Sequence, residues 1–407
     1  MKKLLKQIMY GAGQYARDNL SRWMKQGINP LCFADVDPQK FHTFIEGLEI
    51  LPLDEALRLY PDAKICITVA QQNVKEIYNY LLNRGVGGVI DFPDDVFIGK
   101  SCSRLQSNYV NFFTDSLSAC CMVLRPKISC SDNLRKDLIS LNQLCKKIRD
   151  KLNTGEGTSC DGCPEIRDDI WLDSPTYHFD FATGFKGDLC NFRCSYCTYQ
   201  QTLVKKLNVD ISVLEIIEQL SDIIADTADV TICFANGETT INKDFDKTIE
   251  IILNRNWKLI LDTNATVLPV NIERFANNIL WILSSVDAGT AETFYKIKGV
   301  NCYDRVVKKL NSYHKLGVKC ILKYILLPEI NDNEDDILGF AELANSINAS
   351  VIITSDSAKR HTRLSNRAIE VAKQLFSSCT EHGLRVMYSN DCFNEKDYAL
   401  LKYEGGY

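Results

Sequence analysis

Strand and helix patterns alternate through residues 177–390, and this alternation constrains the fold more than any other feature of the sequence. Apolar runs such as 229–235 have the length of a buried strand, and each is followed by an amphipathic stretch of helical length, such as 243–254. Six such repeats without an antiparallel hairpin signal predict an α/β fold in which a parallel sheet curls into a partial (β/α)6 barrel of the TIM type. Such sheets bind ligands at the carboxyl ends of their strands, so the residues after each strand are the candidates for function.

The first strand of this region, 178–184, leads into a loop that contains three cysteines. Cys190, Cys194 and Cys197 lie within eight residues, and a run this tight can surround one compact metal centre. Thiolates hold [4Fe–4S] clusters, which have four irons, so three ligands in one loop leave the fourth iron open to an exchangeable ligand. The alternative is a zinc loop that completes its tetrahedron with a distant fourth ligand.

With Tyr196 directly before the last cysteine, this loop resembles the signature of the radical S-adenosylmethionine (SAM) superfamily. The resemblance implies two cofactors, a [4Fe–4S] cluster and SAM, whose amino and carboxylate groups chelate the open iron. One electron from the cluster then cleaves the sulfonium and releases a 5′-deoxyadenosyl radical, so the resemblance also implies an electron donor such as flavodoxin or ferredoxin. The cofactors carry the chemistry, and the protein supplies orientation and excludes water.

The residues after the second and third strands extend the resemblance. Asn236, Gly237 and Glu238 resemble the Gly-Gly-Glu element that holds the SAM amino group, with asparagine in place of the first glycine. Thr263 and Asn264 resemble a Thr-Asn-Gly turn near the SAM ribose or carboxylate, with alanine in place of the glycine. The resemblance therefore implies that these residues contact SAM.

The fourth strand is followed by two further elements of the same kind. Ser285 and Asp287 match the superfamily's Ser-x-Asp element. The helix behind them, with Tyr295, Ile297 and Gly299, resembles a helix of the peptide- and cofactor-maturing branches. Each element alone is weak, because a polar residue after a strand is usually a helix cap. Four elements in the right order behind the cysteine loop together predict a SAM site.

Residues 1–97 are predicted to form a small Rossmann-like parallel α/β domain. A short strand is followed by a G-x-G-x-x-A turn that starts at Gly11 and by a helical pattern, and a second strand ends at Asp35. The helix N-terminus could bind a nucleotide phosphate. The alternative is that the two glycines only permit a tight turn and that the domain is a scaffold or docks the substrate.

Residues 98–176 are predicted to be a connector with a second candidate metal site, and residues 391–407 a C-terminal tail. Cys160 and Cys163 form a C-x-x-C turn with Gly162 inside, which suits metal ligation but needs two further ligands. An auxiliary Fe–S cluster, a zinc knuckle and a plain turn or thiol pair all remain open. The candidates for the further ligands are Cys120, Cys121, Cys130, Cys145 and Cys392.

Composition and charge exclude several classes of function. The net charge of −5 and the pI of about 5.7 show no electrostatic footprint for a nucleic acid, and no apolar stretch is long enough to span a membrane. Lys6 and Gln7 interrupt the apolar start, which predicts no secretory signal and a cytoplasmic protein. The 17 cysteines are then reduced, and they act as ligands, catalytic groups or core residues rather than as a disulfide framework.

These observations predict a radical SAM enzyme that abstracts a hydrogen atom from a bound small molecule, either sugar-like or nucleotide-linked. A peptide is the alternative substrate, which would make the protein a peptide or cofactor maturase. The rival from another class is a non-catalytic metal- or nucleotide-binding regulatory protein. The sequence names no catalytic residue beyond the cofactor sites, although Lys323 and Glu329 could face the pocket from the fifth strand and its exit. A polar cluster after the sixth strand could bind an anionic substrate group, or it could be a solvated loop; it consists of Asp356, Lys359, Arg360 and His361.

Overall fold

The structure is a computed structural model. It describes residues 6–87, 90–120, 126–163, 165–172, 176–181, 185–197, 211–235, 237–359, 362–389 and 392–404. Within these ranges no helix combines the length and the apolar character that a bilayer span requires.

The chain forms two compact units. The first contains the described residues of Met1–Asn108, Met122–Pro126 and Asn142–Pro175, and the second contains those of Tyr109–Cys121, Lys127–Leu141 and Thr176–Tyr407. Residues 98–176 are therefore divided between the two units.

A six-stranded sheet forms the centre of the first unit. Its strands are β1 (Lys6–Tyr10), β2 (Asn29–Asp35), β3 (Phe44–Ile45), β4 (Leu48–Pro52), β5 (Lys64–Ile67) and β6 (Ile90–Asp91). They are arranged in the order β3-β4-β2-β1-β5-β6 and are parallel, apart from the antiparallel pair β3 and β4. The predicted Rossmann-like arrangement is confirmed, and β3 and β4 are additions that are only two and five residues long.

Helices cover both faces of this sheet. They are α1 (Gln14–Lys25), α2 (Leu53–Leu59) and α3 (Gln71–Asn83). Ile8 and Met9 of β1 point to opposite faces, as successive strand residues do. Met9 packs in the apolar cluster that contains Trp23 of α1, whereas Ile8 packs in the cluster that contains Leu81 of α3. The unit is therefore wound on both faces, as its sequence pattern predicts.

The turn between β1 and α1 is held by the side chain of Asp35. Its carboxylate accepts the backbone N–H of Ala12 at 2.8 Å and pairs with Lys40 at 3.0 Å. Gly11 has a φ of 108°, and a Cβ on this residue would lie 2.3 Å from a methyl group of Val69. The geometry therefore favours the tight-turn alternative at Gly11.

A two-stranded antiparallel ribbon completes the first unit. It consists of β7 (Val96–Ser101) and β11 (Arg167–Leu172), and Leu172 packs against Val74 of α3. The long helix α4 (Leu134–Thr154) has residues in both units.

A ten-stranded sheet forms the centre of the second unit. Its strands are β8 (Asn108–Phe112), β9 (Ser116–Ser118), β10 (Lys127–Ser129), β12 (Tyr177–Phe181), β13 (Val230–Phe234), β14 (Lys258–Asp262), β15 (Ile279–Ser285), β16 (Cys320–Leu326), β17 (Ser350–Ser355) and β18 (Val386–Tyr388). The order is β10-β9-β8-β12-β13-β14-β15-β16-β17-β18. From β12 to β18 every neighbouring pair is parallel, which confirms the predicted partial barrel.

The antiparallel edge formed by β8, β9 and β10 was not predicted. β9 and β10 have only three residues each, which is too short for a period-2 pattern to stand out in the sequence. Their pairing extends the parallel sheet beyond β12.

Helices connect the parallel strands of the second unit. They are α5 (Val213–Ile223), α6 (Phe245–Asn254), α7 (Ala291–Lys298), α8 (Tyr303–Lys315), α9 (Glu334–Ser346), α10 (Asn366–Glu381) and α11 (Glu395–Glu404). Short 3-10 turns lie at Pro38–Lys40, Thr239–Ile241, Ile272–Arg274, Ala276–Asn278 and Ser357–Lys359. The start of α5 shows why a helix begins where it does, because Ser212 and Glu215 form a capping box.

Candidate functional site

A cavity of about 370 Å³ lies at the carboxyl ends of the parallel strands in the second unit. Its lining starts with the cysteine loop after β12 and continues with residues at the ends of β13, β14, β15, β16 and β17. The predicted site residues that line it are Cys190, Cys194, Tyr196, Cys197, Gly237, Thr263, Asn264 and Ser285. The barrel thus brings together residues that are far apart in the sequence.

Two predicted cofactor-binding residues have a different position, and a third is not described. Glu238 and Asp287 are 1% and 0% exposed and are not among the residues that line the cavity. Asn236 lies outside the described residues.

The last turn of α7 holds the cysteine loop. The backbone N–H of Arg193 donates to the carbonyl of Lys298, and that of Ser195 donates to the carbonyl of Ile297, both at 2.9 Å. These carbonyls are available because the last carbonyls of a helix have no partner within the helix. The helix that resembles those of the maturing branches therefore acts here as the anchor of the cysteine loop.

Gly299 allows the loop to approach this helix end, and its replacement is a test of that packing. It ends α7 with a φ of 70°, and a Cβ on it would lie 3.1 Å from the Cβ and 3.2 Å from the backbone oxygen of Arg193. We expect Gly299→Ala to lower the free energy of unfolding by about 1–3 kcal/mol, because the backbone is strained and the loop must move. Protein reconstituted with iron and sulfide should also retain less iron.

Gly317→Ala is the matched control for this change. Gly317 has a φ of 77°, but a Cβ on it would meet nothing within 4 Å, so the control carries the backbone strain without the collision. Denaturant unfolding and iron analysis compare the two variants. If both retained as much iron as the wild type, the close approach at Gly299 would have no role in shaping the loop.

A buried ion pair supports the aromatic residue of the loop. Asp287 and Lys298 form this pair, and their side chains are 0% and 1% exposed. Tyr196 donates a hydrogen bond to Asp287 at 2.5 Å and accepts one from the Lys298 ammonium at 2.8 Å. Burial and the Asp287 carboxylate hold the pKa of Tyr196 well above its usual value, so the phenol keeps its proton. Asp287 therefore supports the loop through Tyr196, and its direct contact with SAM stays a prediction.

The carboxylate of Glu238 joins the turns after β13 and β14. It accepts hydrogen bonds from the Thr263 hydroxyl at 2.8 Å and from the backbone N–H of Asn264 at 2.5 Å. Its own backbone N–H donates to the carbonyl of Leu189, directly before the cysteine loop, at 2.7 Å. Burial raises the pKa of Glu238, although these hydrogen bonds lower it. Glu238 thus orders the wall of the cavity, and Gly237, with a φ of 65°, is the neighbour that faces it.

Amide side chains connect the turn after β14 to the cysteine loop. Asn264 donates to the side-chain oxygen of Asn191 at 2.6 Å, and Asn191 donates to the hydroxyl of Thr266 at 2.9 Å. The Asn264 side chain also hydrogen-bonds to the thiol of Cys190, which lowers the pKa of that thiol. The network fixes the first cysteine of the loop relative to the strand ends.

The three thiols suit a soft metal centre. Burial raises the pKa of Cys194 to about 11 and also raises that of Cys190, so these thiols lose their protons when a metal binds. The ammonium of Lys298 lowers the pKa of Cys194, and the backbone N–H of Phe192 lowers that of Cys190. Sulfur ligands without a histidine among the described residues that line the cavity fit an iron–sulfur cluster.

A carboxyl and an ammonium face the same cavity from β14 and β16. They belong to Asp262 and Lys323, and Ser285 is the register neighbour of Lys323. Burial raises the pKa of Asp262 from 3.8 to about 7, Asp180 raises it as well, and Lys323 lowers it. The cavity therefore contains a group that can hold or release a proton near neutral pH, beside a cation.

One polar cluster was missed by the sequence analysis. His178, Asp180 and Cys233 bring three potential ligand atoms within 4.8 Å of one another. His178 contacts Asp180 at 2.8 Å, and Asp180 is the register neighbour of Cys233. The alternation of polar and aromatic residues along β12, with Phe179 and Phe181 buried, is the signal that could have found it.

Comparison with protein families adds a finding that is independent of this geometry. A model described as "Radical SAM superfamily" matches residues 186–341, which include the cysteine loop and the turns after β13, β14 and β15. Residues 186–341 therefore form a domain of the radical SAM superfamily. The predicted fold class is confirmed, and the [4Fe–4S] cluster and SAM predicted as cofactors are those that the radical SAM superfamily uses.

Curated relatives of this radical SAM protein include enzymes named GTP 3′,8-cyclase. The one from Synechocystis sp. is 28% identical over 158 residues, which are 38% of this chain and 48% of the relative. The one from Mannheimia succiniciproducens is 30% identical over 156 residues, which are 37% of this chain and 45% of the relative. The chain spans less than half of the length of these curated relatives.

Solved structures that resemble the radical SAM protein include two with weak similarity. Streptococcus suis SuiB bound to precursor peptide SuiA is 15% identical with a TM-score of 0.40, over 64% of this chain and 56% of that chain. A radical SAM methyltransferase from Sphaerobacter thermophilus is 15% identical with a TM-score of 0.39, over 54% of this chain and 68% of that chain.

Proposed function

We propose that the protein is a radical SAM enzyme that abstracts a hydrogen atom from a small polar substrate. The observation that carries this proposal is that three thiols of one loop share a cavity with an ionisable carboxyl and an ammonium. A purely regulatory metal protein has no need for such groups beside its metal ligands, so the geometry favours the enzyme over the non-catalytic rival.

The chain's own residues have distinct roles in this proposal. Cys190, Cys194 and Cys197 hold the [4Fe–4S] cluster, and Tyr196 is kept in place by the buried ion pair behind it. When bound, the cluster and SAM together supply the 5′-deoxyadenosyl radical after one electron arrives from an external donor. The turn around Gly237 and the side chains of the next strand ends orient SAM and exclude water.

The substrate side of the cavity favours a polar small molecule. Lys323 and Ser285 can bind a phosphate or a hydroxyl group, and Asp262 can accept or return a proton at a substrate oxygen. The curated relatives are named for GTP, a nucleotide, which supports a sugar-like or nucleotide-linked substrate here.

A peptide substrate receives less support from the structure. Its sequence argument was the likeness of Tyr295, Ile297 and Gly299 to the maturing branches. Ile297 and Gly299 are engaged with the cysteine loop, so they serve the cofactor site rather than the choice of substrate. Tyr295, the third residue of that likeness, is 55% exposed and is not among the residues that line the cavity.

Asp262→Asn is expected to change how stability and activity depend on pH. The pKa of about 7 lies above the ordinary value of 3.8, so the folded state binds the proton more tightly than the unfolded state. Stability is therefore lost as the pH rises from about 4 through about 7, because a partly desolvated carboxyl on the cavity wall must ionise. Asp262→Asn has no carboxyl to ionise at this position. The difference in stability between the variant and the wild type should therefore be smallest near pH 4 and should grow in favour of the variant up to about pH 7.

The measurement for Asp262 is denaturant unfolding across pH, together with the rate of SAM cleavage. The charged groups that act on Asp262 are Lys323 from β16 and Asp180 from β12, and Lys323→Met should raise the apparent pKa further. An identical pH profile in the wild type and in Asp262→Asn would show that this carboxyl does not titrate in the folded protein.

The proposed activity is tested with anaerobically reconstituted full-length protein, SAM and a chemical reductant. We expect 5′-deoxyadenosine to form, and to form faster with a nucleotide or nucleotide-sugar substrate than with peptides. Deuterium transfer from a labelled substrate into 5′-deoxyadenosine would identify the position of abstraction. No 5′-deoxyadenosine from protein that contains its cluster would overturn the enzyme proposal.

A further inference from the structure

Four cysteines that lie outside the SAM cavity come together in the first unit. We call them the N-terminal thiol group, and it consists of Cys102, Cys145, Cys160 and Cys163. None of them is in a disulfide. They come from three separate segments of the chain, namely the turn after β7, the middle of α4 and the C-x-x-C turn before β11.

Strand pairing brings the turn after β7 and the C-x-x-C turn before β11 to the same end of a ribbon. Ser101, the last residue of β7, is the register partner of Arg167, the first residue of β11. Cys102 directly follows Ser101. Cys163 is joined to the start of β11 by a turn in which the backbone N–H of Ile166 donates to the Cys163 carbonyl at 3.1 Å. The two cysteines therefore flank one end of the ribbon.

Helix periodicity brings α4 to the same place. Cys145, Arg149 and Asn153 are four residues apart and share one face of the helix. Arg149 donates to the side chain of Gln106 at 2.7 Å, and Asn153 exchanges hydrogen bonds with the backbone of Lys100 at 2.8 and 2.9 Å. This face of α4 is thus held against the segment that contains Cys102.

Three of the four thiols are buried, and Cys163 is half-buried. Cys102, Cys145 and Cys160 are 7%, 6% and 8% exposed. Burial raises the pKa of Cys145 to about 12, and the thiols of Cys102 and Cys160 raise it as well. The neighbouring thiol of Cys163 in turn raises the pKa of Cys102. Three buried cysteines and a half-buried fourth therefore lie close enough together to be candidate ligands of one metal centre.

The turn after β7 has the form of a metal-ligand knuckle. The backbone N–H of Leu105 donates to the carbonyl of Cys102 at 3.1 Å. Burial raises the pKa of the Cys102 thiol overall, whereas the backbone N–H groups of Leu105 and Arg104 lower it. The C-x-x-C turn resembles it, since the N–H of Cys163 donates to the carbonyl of Cys160 at 3.1 Å and Gly162 takes a φ of 75°. Both turns thus close with the N–H of the third residue after a cysteine donating to the carbonyl of that cysteine.

We propose that the N-terminal thiol group binds a second [4Fe–4S] cluster, with one thiolate on each iron. Such a centre has no open iron, so its role is structural or in electron transfer and not in binding SAM or substrate. Cys145 was one of the ligand candidates for the C-x-x-C turn, and Cys102 is the one that sequence reasoning missed.

The spacing of the thiols favours a cluster over a single zinc ion. Among the described residues, His178, Asp180 and Cys233 are the group that brings three ligand atoms within 4.8 Å, so no three of the four thiols are that close. The sulfur atoms of a zinc tetrahedron lie about 3.8 Å apart, given Zn–S bonds of about 2.3 Å. The protein sulfur atoms around a [4Fe–4S] cluster lie further apart than this, because each of them binds a different iron.

The test uses the full-length chain with the SAM-site ligands removed. Cys190→Ala, Cys194→Ala and Cys197→Ala are combined, and the protein is purified and reconstituted anaerobically. We expect about four irons and about four sulfides per chain to remain, with an electron paramagnetic resonance (EPR) signal after reduction that does not change when SAM is added. Because the SAM site is absent, this iron reports on the second site whether or not the proposed enzyme activity is correct.

Further substitutions in this triple variant assign the iron to the thiol group. Cys160→Ser with Cys163→Ser, or Cys145→Ser alone, should remove the signal and most of the iron. Cys130→Ser, at an exposed thiol, and Cys379→Ala, at a buried one in α10, are controls that should lose none. A triple variant without iron and sulfide, or with about one zinc per chain, would overturn the proposal, as would an iron content that does not change in the Cys145→Ser form.

Discussion

Cys194→Ala should lose the SAM-site cluster entirely and form no 5′-deoxyadenosine. Cys194 lies between the other two ligands in the loop, and its thiol lines the cavity with theirs. Two thiolates cannot hold a cube that needs three protein ligands, so iron should fall by about four atoms per chain relative to the wild type. The measurement is iron and sulfide analysis of anaerobically reconstituted protein, followed by an assay for 5′-deoxyadenosine.

Cys392→Ala is the matched control for this loss. Cys392 lines the same cavity but comes from the C-terminal part of the chain. We expect it to keep the full iron content and the cleavage of SAM, because the loop alone supplies the protein ligands. If Cys392→Ala lost the cluster as Cys194→Ala does, a fourth side chain would hold the last iron and SAM could not bind there.

Lys298→Met should destabilise the protein by about 3–5 kcal/mol, because it leaves the Asp287 carboxylate buried without its counter-ion. Tyr196 would also lose the hydrogen bond that it accepts from the ammonium, and the cysteine loop would be held less firmly. Chemical denaturation measures the stability, and iron retention during gel filtration measures the hold on the cluster.

Two further variants separate charge burial from lost packing. Adding Asp287→Asn to Lys298→Met removes the unpaired charge, so the double variant should recover part of the stability. Lys296→Met changes a lysine on the same helix whose ion pair with Glu292 is exposed, and it should alter stability by no more than about 0.5 kcal/mol. A Lys298→Met variant as stable as Lys296→Met would show that the buried pair does not support the fold.

The barrel and the ligand loop were accessible to sequence reasoning because both have strong local signals. Buried strands alternate with amphipathic helices at regular spacing, and the cysteines lie within one loop. Because the carboxyl ends of parallel strands lie at one edge of a sheet, the polar turns after successive strands could also be placed together. The match of residues 186–341 to the radical SAM superfamily agrees with that interpretation.

The roles of individual side chains were less accessible, because they depend on tertiary contacts. The expected contacts of Glu238 and Asp287 with SAM stay predictions. The sequence did not show that their carboxylates accept hydrogen bonds from backbone N–H groups of neighbouring strands and turns. Lys298 follows the pattern of a surface helix end, and only its proximity to Asp287 reveals that it is buried. The role of Cys102 also depends on a tertiary contact, because the pairing of β7 with β11 brings it near Cys163.

The central claim is that the cysteine loop leaves one iron open for SAM, and EPR spectroscopy tests it most directly. The sample is full-length Cys160→Ser/Cys163→Ser protein, so that only the SAM-site cluster contributes, reduced with and without SAM that is isotopically labelled in its amino and carboxylate groups. We predict that SAM shifts the cluster signal and that hyperfine coupling to the labelled nitrogen and oxygen appears. A reduced cluster with an unchanged signal and no such coupling would contradict the claim.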